Sequence, residues 1–254
     1  MKYSICTTVY NSEDVVNQFL SKFINTEHEI VILNGNSTDS TGKLLANYDE
    51  RIKLINMKST RGMGKKLSIE NASGDNIILI DFDVEILNLK DIIDIYELKY
   101  EVGKIIAIHL NGGSTCSPTI FAGAREVFTN IDAWPDLNCF EDVYFRKVCE
   151  SLGIIKSVDL VTSYNCMKIR HDGPGRESRY ENNIFKKVFR RMRCAADAIF
   201  VSDFNFNELM RYYKISGLKQ LYVGLPEYII ARFLSRLIKV KKLDNKIREL
   251  DNQP

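Results

Sequence analysis

The sequence predicts an α/β protein with a mostly parallel central sheet flanked by helices, followed by a basic helical segment at the C-terminal end. Three observations lead there. Apolar β-rich runs alternate with helical patterns from residue 3 onward, which implies parallel strands joined by right-handed crossovers. Ile77 to Ile80 is an unbroken apolar run with no polar alternation, the mark of a strand buried on both faces, and it ends in Asp81-Phe-Asp83. Finally, residues 1–183 carry 20 Lys/Arg against 26 Asp/Glu, whereas residues 184–254 carry 15 against 7. The switch divides the chain into a 1–183 α/β segment and a 184–254 basic extension.

Tyr3 to Val9 reads as the first strand. Asn11-Ser12 supplies turn and cap chemistry, and Val15, Val16, Phe19, Leu20 and Phe23 form one helical face. Glu29 to Leu33 is the second strand. The polar loop from Asn34 to Gly42 then leads into a helix with Leu44, Leu45 and Tyr48. Ile52 to Asn56 is a short third strand. Arg61-Gly-Met-Gly-Lys-Lys66 opens a helix that Ser73-Gly-Asp75 stops.

Beyond Asp83 the spacing predicts a helix over 89–98, strands over 104–110 and 119–122, and a helix over 124–128. Cys139 to Leu152 reads as a strong helix stopped by Gly153, with Val143, Val148 and Leu152 inward and Glu141 and Asp142 in its first turn. Strands near 154–158 and 161–167 precede a polar stretch over 168–183.

Six cysteines show no C-x-x-C pair, so reduced thiols in a cytoplasmic protein are expected. No signal-peptide succession opens the chain, and no apolar run is long enough to span a bilayer.

An Asp-x-Asp at a strand end is by itself an ordinary acidic turn; its company gives it meaning. The motifs Thr8-Val-Tyr-Asn11, Asn34-Gly-Asn-Ser-Thr-Asp-Ser-Thr41, Arg61-Gly62, Ser73-Gly-Asp75 before Asp81-Phe-Asp83, Phe121-Ala-Gly-Ala-Arg125, and Glu141-Asp142 before Arg146 occur in that order. In this the first 180 residues or so resemble the family-two glycosyltransferases, which have the GT-A fold. The resemblance implies an inverting enzyme whose catalytic domain is 1–183, with nucleotide-sugar binding in 1–85 and an acceptor and catalytic half in 86–183. A nucleotide-diphosphate sugar would bind with its diphosphate on Mg²⁺ or Mn²⁺, and a glycan or lipid-linked acceptor hydroxyl would attack the anomeric carbon.

By position, the resemblance makes Asp83 and Asp81 metal carboxylates, with Asp81 also reaching the nucleotide sugar. Asp142 becomes the catalytic base, with its neighbour Glu141 an open alternative. Thr8, Tyr10, Asn34, Asp39, Arg61 and Lys65 would line the donor site. Asn34 stands where the family usually has an aspartate. His171 is the histidine positioned to complete the metal site, while His28 and His109 read as structural. Arg176 and Arg179, in Arg176-Glu-Ser-Arg179-Tyr180, would clamp the diphosphate. Acids in a first helical turn and a solvated charged loop are the plain alternatives.

A sugar-1-phosphate nucleotidyltransferase would need a glycine-rich phosphate loop after the first strand, where Tyr10-Asn-Ser-Glu-Asp14 stands instead. A non-catalytic nucleotide-sugar-binding or scaffold module is the other rival reading.

The basic segment interleaves apolar and cationic residues over 184–193 and 225–240. There Ile229, Phe233 and Leu237, with Ile230, Leu234 and Ile238, are expected opposite Arg232, Arg236 and Lys239. An anionic membrane surface contacted through 184–240 is one expectation, and packing on the core or a homodimer face is the other. Nucleic acid is not expected, because no aromatic stacking platform accompanies the charge.

Overall fold

The computed structural model describes residues 3–23, 26–48, 52–86, 88–110, 119–131, 133–160, 167–169, 184–202, 205–212, 225–226 and 228–237. The chain forms two compact units, one from Met1–Asp136 with Glu141–Tyr180 and one from Leu137–Phe140 with Glu181–Pro254.

The first unit is built on strands β1 (Tyr3–Val9), β2 (Glu29–Asn34), β3 (Ile52–Asn56), β4 (Asn76–Leu79), β6 (Ile105–Leu110), β7 (Thr119–Ala124) and β8 (Ile155–Leu160). They form a seven-stranded sheet in the order β3-β2-β1-β4-β7-β6-β8. β7 runs antiparallel to both its neighbours, while the other pairings are parallel. Helices α1 (Val16–Ser21), α2 (Thr41–Ala46), α3 (Arg61–Glu70), α4 (Leu89–Lys99), α5 (Arg125–Ile131) and α6 (Glu141–Ser151) flank it.

Alternation along buried strands divides the core. Ile78 and Ile80 join Phe19, Ile92 and Tyr96 on one face, whereas Ile77 and Leu79 join Ile69, Phe121 and Phe145 on the other. The apolar run of β4 therefore meets side chains on both faces, as its composition predicts. The α1 face is as expected, with Val15, Val16, Phe19, Leu20 and Phe23 all buried.

Two local expectations are corrected. The helix expected from Cys139 starts at Glu141, because Phe140 has a positive φ of 62° that interrupts the pattern. Leu152 is exposed rather than inward, and Phe145 and Cys149 take the buried positions of α6. The strand expected over 161–167 lies, but for Met167, outside the described residues, and Met167–Ile169 form a short β9. β9 pairs antiparallel with β5 (Val84–Ile86), a small sheet that no alternation in either segment announced.

The cysteine expectation also changes. Cys139 and Cys194 are disulfide-bonded across 55 residues of sequence, with Cα atoms 5.4 Å apart, and both belong to the second unit. Local spacing cannot reveal such a pair, because folding of the 137–140 loop brings it together. Cys6 and Cys149 are free and buried, and burial pushes the Cys149 thiol up to about 12.

The second unit contains α7 (Ile184–Ser202), α8 (Phe206–Tyr212) and a helical stretch over 228–237. Ala195, Ala196, Ala198, Ile199, Leu209, Met210 and Ala231 form its core, with Phe140, Tyr228 and Leu234 against it. Leu234 thus turns inward with Ala231 and Ser235. Ile229, Ile230, Phe233 and Leu237 are exposed alongside Arg232 and Arg236, not on a face opposite them. No helix among the described residues is long and apolar enough to cross a membrane.

Two measurements check these contacts. A Cβ on Gly62 would lie 1.9 Å from the Pro135 carbonyl oxygen, so Gly62→Ala is expected to lower stability by about 1–3 kcal/mol in urea denaturation. Alkylation of the unfolded, unreduced chain should leave Cys139 and Cys194 unlabelled and recover them as one cross-linked peptide.

Candidate active site

In the strand order β3-β2-β1-β4, connections leave β1 toward opposite edges, so the sheet's switch point lies between β1 and β4. Open α/β sheets bind ligands at the carboxyl ends of strands beside such a point. Thr8 and Tyr10 sit at the end of β1, Asn34 ends β2, and Asp81 and Asp83 follow β4.

The Asp81-Phe-Asp83 turn is anchored by its middle residue. Phe82 is buried and stacks on Phe19 with ring centroids 4.3 Å apart, while Val84 N donates to Asp81 O at 3.0 Å. Both aspartates are half-buried at the rim.

α3 supplies the cations. Thr60 caps it, accepting from Met63 N at 3.3 Å and donating to Asp136 Oδ1 at 2.7 Å. Arg61 and Lys65, four residues apart, share one helical face. Gly62 and Gly64 let that turn press against its surroundings: a Cβ on Gly62 would strike Pro135, and one on Gly64 would lie 2.7 Å from Thr8 Cγ2.

Lys65 is 3% exposed. Its Nζ lies 3.0 Å from Asp81 Oδ1 and 3.1 Å from Glu141 Oε1, and 5.5 Å from the centroid of the Trp134 ring. Arg61 Nε is 3.8 Å from the same Glu141 oxygen. Burial opposes the Lys65 charge, but Asp81, Glu141 and Asp142 outweigh it and push the pKa up, so the ammonium persists. Burial likewise pushes the Glu141 carboxyl up, against the pull of Lys65 and Arg61. Glu141 Oε2 is buried and accepts no hydrogen bond among the described residues.

These facts separate the two acids of α6. Glu141 is 2% exposed and ion-paired with Lys65. Asp142, next in the chain, is half-buried, with Oδ1 accepting from Val143 N at 2.9 Å.

The loops after β1 and β2 are laced together. Asn11 Oδ1 accepts from Thr38 N at 2.8 Å, Asn11 N donates to Ser37 Oγ at 2.9 Å, and Ser12 N donates to Thr41 Oγ1 at 2.7 Å. Asn11 and Asn36 both have left-handed φ, 45° and 58°, which asparagine tolerates.

Asn34 is buried inside this lacing. Its Oδ1 accepts from Ser37 Oγ at 2.6 Å and its Nδ2 donates to Asn56 Oδ1 at 2.8 Å, so its amide orders the loop. Asp39 likewise accepts from Glu13 N at 3.2 Å and Thr41 N at 3.0 Å. His109 is buried in β6, and His28 stands edge-on to Tyr3, in keeping with structural roles.

His171, Arg176 and Arg179 lie outside the described residues. The backbone leading to them is described: Ile169 of β9 pairs with Val84, next to Asp83. Sequence reading missed Trp134, the chain's single tryptophan, which stacks on Phe145 at 4.0 Å and flanks Lys65.

Residues 4–114 match the family model "Glycosyl transferase family 2". Over those residues the chain is similar to the family-two glycosyltransferases. The solved structures it resembles have the GT-A fold. One is S. aureus TarS 1-349 in complex with UDP-GlcNAc, with a TM-score of 0.55 and 19% identity, covering 91% of this chain and 79% of that one. A second is glucosyl-3-phosphoglycerate synthase from Mycobacterium tuberculosis with Mn²⁺, UDP and glucosyl-3-phosphoglycerate, with a TM-score of 0.55 and 16% identity, covering 80% and 81%. A third is the mannosyltransferase PcManGT from Pyrobaculum calidifontis with GDP-Man and Mn²⁺, with a TM-score of 0.56 and 11% identity, covering 94% and 73%. Against a longer TarS structure the chain spans 54% of the length. No curated protein matches the chain. The matched glycosyltransferase segment contains the whole β1 to β4 rim, whereas Glu141 and Asp142 lie beyond it.

The raised pKa of Glu141 gives a signed prediction. The unfolded chain ionises this group in the ordinary carboxylate range and the folded chain only at higher pH, so its burial costs stability as pH climbs through that window. In urea denaturation across that window, the stability difference between wild type and Glu141→Gln should shift in the variant's favour as pH rises.

Proposed function

We propose that the chain is an inverting, metal-dependent glycosyltransferase that moves a sugar from a nucleotide-diphosphate sugar to an acceptor hydroxyl on a glycan or lipid-linked glycan. The observation that carries this reading is the Lys65 bridge. One buried ammonium joins the acid after β4 to the first residue of α6, so the metal rim and the turn bearing Asp142 share one site.

Two hard carboxylates fit Mg²⁺ or Mn²⁺, which commonly takes one or two such ligands and fills the rest with phosphate and water. Among the described residues no three His, Cys, Asp or Glu side chains cluster as a metal site, so Asp83 and Asp81 are the protein's share from these. Asp83 is the principal ligand in this reading, with Asp81, whose Oδ1 also faces Lys65, the second. His171, following the β9 strand that pairs beside Asp83, is a further candidate. The metal, when bound, neutralises charge on the departing diphosphate.

The remaining roles fall to the chain's own groups. Arg61, with Arg176 and Arg179, carries cationic charge toward the diphosphate, while Thr8 and Tyr10 border the nucleoside. Asn34 and Asp39 act through the loop they order. Asp142 takes the proton from the acceptor hydroxyl. That oxygen bonds the anomeric carbon from the face opposite the leaving group, and the anomeric C–O bond breaks with its electron pair passing to the diphosphate.

Nucleotide-diphosphate release from UDP-GlcNAc and GDP-mannose, followed with Mn²⁺, tests this. Asp142→Asn should lower turnover by about 10²–10⁴-fold with donor KM little changed. Equal rates in both proteins would remove the base assignment, and no release from any nucleotide sugar would leave the binding-module reading.

The second unit supports a peripheral place at an anionic membrane. Ile229 and Phe233, 60% and 62% exposed, align with Leu237 at four-residue spacing, flanked by exposed Arg232 and Arg236. A two-fold pairing of this face would oppose arginine to arginine in a segment already carrying 15 cations against 7 anions, whereas anionic lipid satisfies both components. The full chain should co-sediment with phosphatidylglycerol vesicles but not phosphatidylcholine vesicles, and Phe233→Ser should weaken that binding. Equal recovery of both proteins, or a dimer that Phe233→Ser dissociates, would overturn it.

A further inference from the structure

Lys65 stands where two cations would compete. Its ammonium is within 3.0 Å of Asp81 Oδ1, and in the reading above Asp81 also borders a divalent metal. An ammonium and a metal ion that draw on one carboxylate repel each other, and this repulsion is felt more strongly in a buried site than in water.

The ammonium cannot withdraw easily. It is 3% exposed, its other partner Glu141 is buried at the start of α6, and Trp134 flanks it. The helix that carries it is pressed against Pro135 and Thr8 at Gly62 and Gly64. Glu141 Oε2 accepts no hydrogen bond among the described residues, so that carboxylate depends on its Oε1 contacts and holds Lys65 in return.

We propose that Lys65 is a positioning residue that competes with the divalent metal for Asp81, so that the metal binds weakly until the donor's diphosphate brings the negative charge needed to hold both cations. This rests on the metal-dependent glycosyltransferase reading and adds an order to it: metal and nucleotide diphosphate bind cooperatively, each raising the other's affinity by the same factor. In the absence of donor, Lys65 occupies the acid that the metal would otherwise share. With diphosphate present, the ammonium and the metal flank one anion. Its tie to Glu141 keeps the ammonium beside the turn that carries Asp142.

The experiment is Mn²⁺ binding to the full chain, read from the free-Mn²⁺ electron paramagnetic resonance signal without nucleotide and with UDP or GDP. In wild type, the diphosphate should tighten Mn²⁺ binding by about 5–150-fold. Lys65→Met should bind Mn²⁺ more tightly than wild type without nucleotide, and the enhancement by diphosphate should shrink. Should the single variant not fold, Lys65→Met with Glu141→Gln leaves no unpaired charge on Glu141 and reads the same competition. Lys65→Arg, which keeps the cation, should follow wild type.

A general loss of structure would weaken metal binding, the opposite direction. Folded variants whose Mn²⁺ affinity without nucleotide equals or falls below wild type would overturn the proposal while leaving the metal reading intact. Absence of Mn²⁺ binding in every protein, with and without nucleotide, would overturn both.

Discussion

A buried ammonium between two carboxylates organises this molecule. Lys65, Asp81 and Glu141 come from a helix, a strand end and a second helix, and each would be costly to bury alone. Together they fix α3 and α6 against the rim of the sheet. Removing one partner from such a buried set leaves a charge stranded, which is why the arrangement acts as a constraint more than as a source of net stability. The glycines at 62 and 64 follow from the same demand, because the helix must approach closely for the ammonium to reach both acids.

The rim owes its shape to a division between anchoring and presenting residues. Phe82 enters the core so that Asp81 and Asp83 stay at the surface, and Asn11, Asn34 and Asp39 spend their hydrogen bonds on the loops so that Thr8 and Tyr10 keep their places. Polar residues with motif-like spacing thus divide into those that hold the loops and those that stay at the rim.

Much of the fold was legible because buried parallel strands have a plain sequence signature. Ile77 to Ile80 announced its strand, and the α1 face followed from helical spacing. What stayed hidden depended on distant contacts. The β5 and β9 pairing involves two short segments with no periodicity of their own. Cys139 and Cys194 carry no mutual spacing. Glu141 and Asp142 look alike in sequence, and only the burial of one and its tie to Lys65 tell them apart. Asn34 was readable as a site residue by position, but its commitment to Ser37 and Asn56 was not.

The short excursion of Leu137–Phe140 into the second unit affects how the chain can be shortened or rearranged. Phe140 packs against the cluster formed by α7, α8 and the 228–237 stretch, and the backbone N of Cys139 donates to buried Asp197 at 3.2 Å. A polypeptide cut after residue 183 would lose those partners and present Phe140 to water immediately before Glu141. The C-terminal quarter therefore shares its core with a stretch that lies inside the first unit's sequence, so transplanting either piece onto another scaffold would require carrying this stitch along.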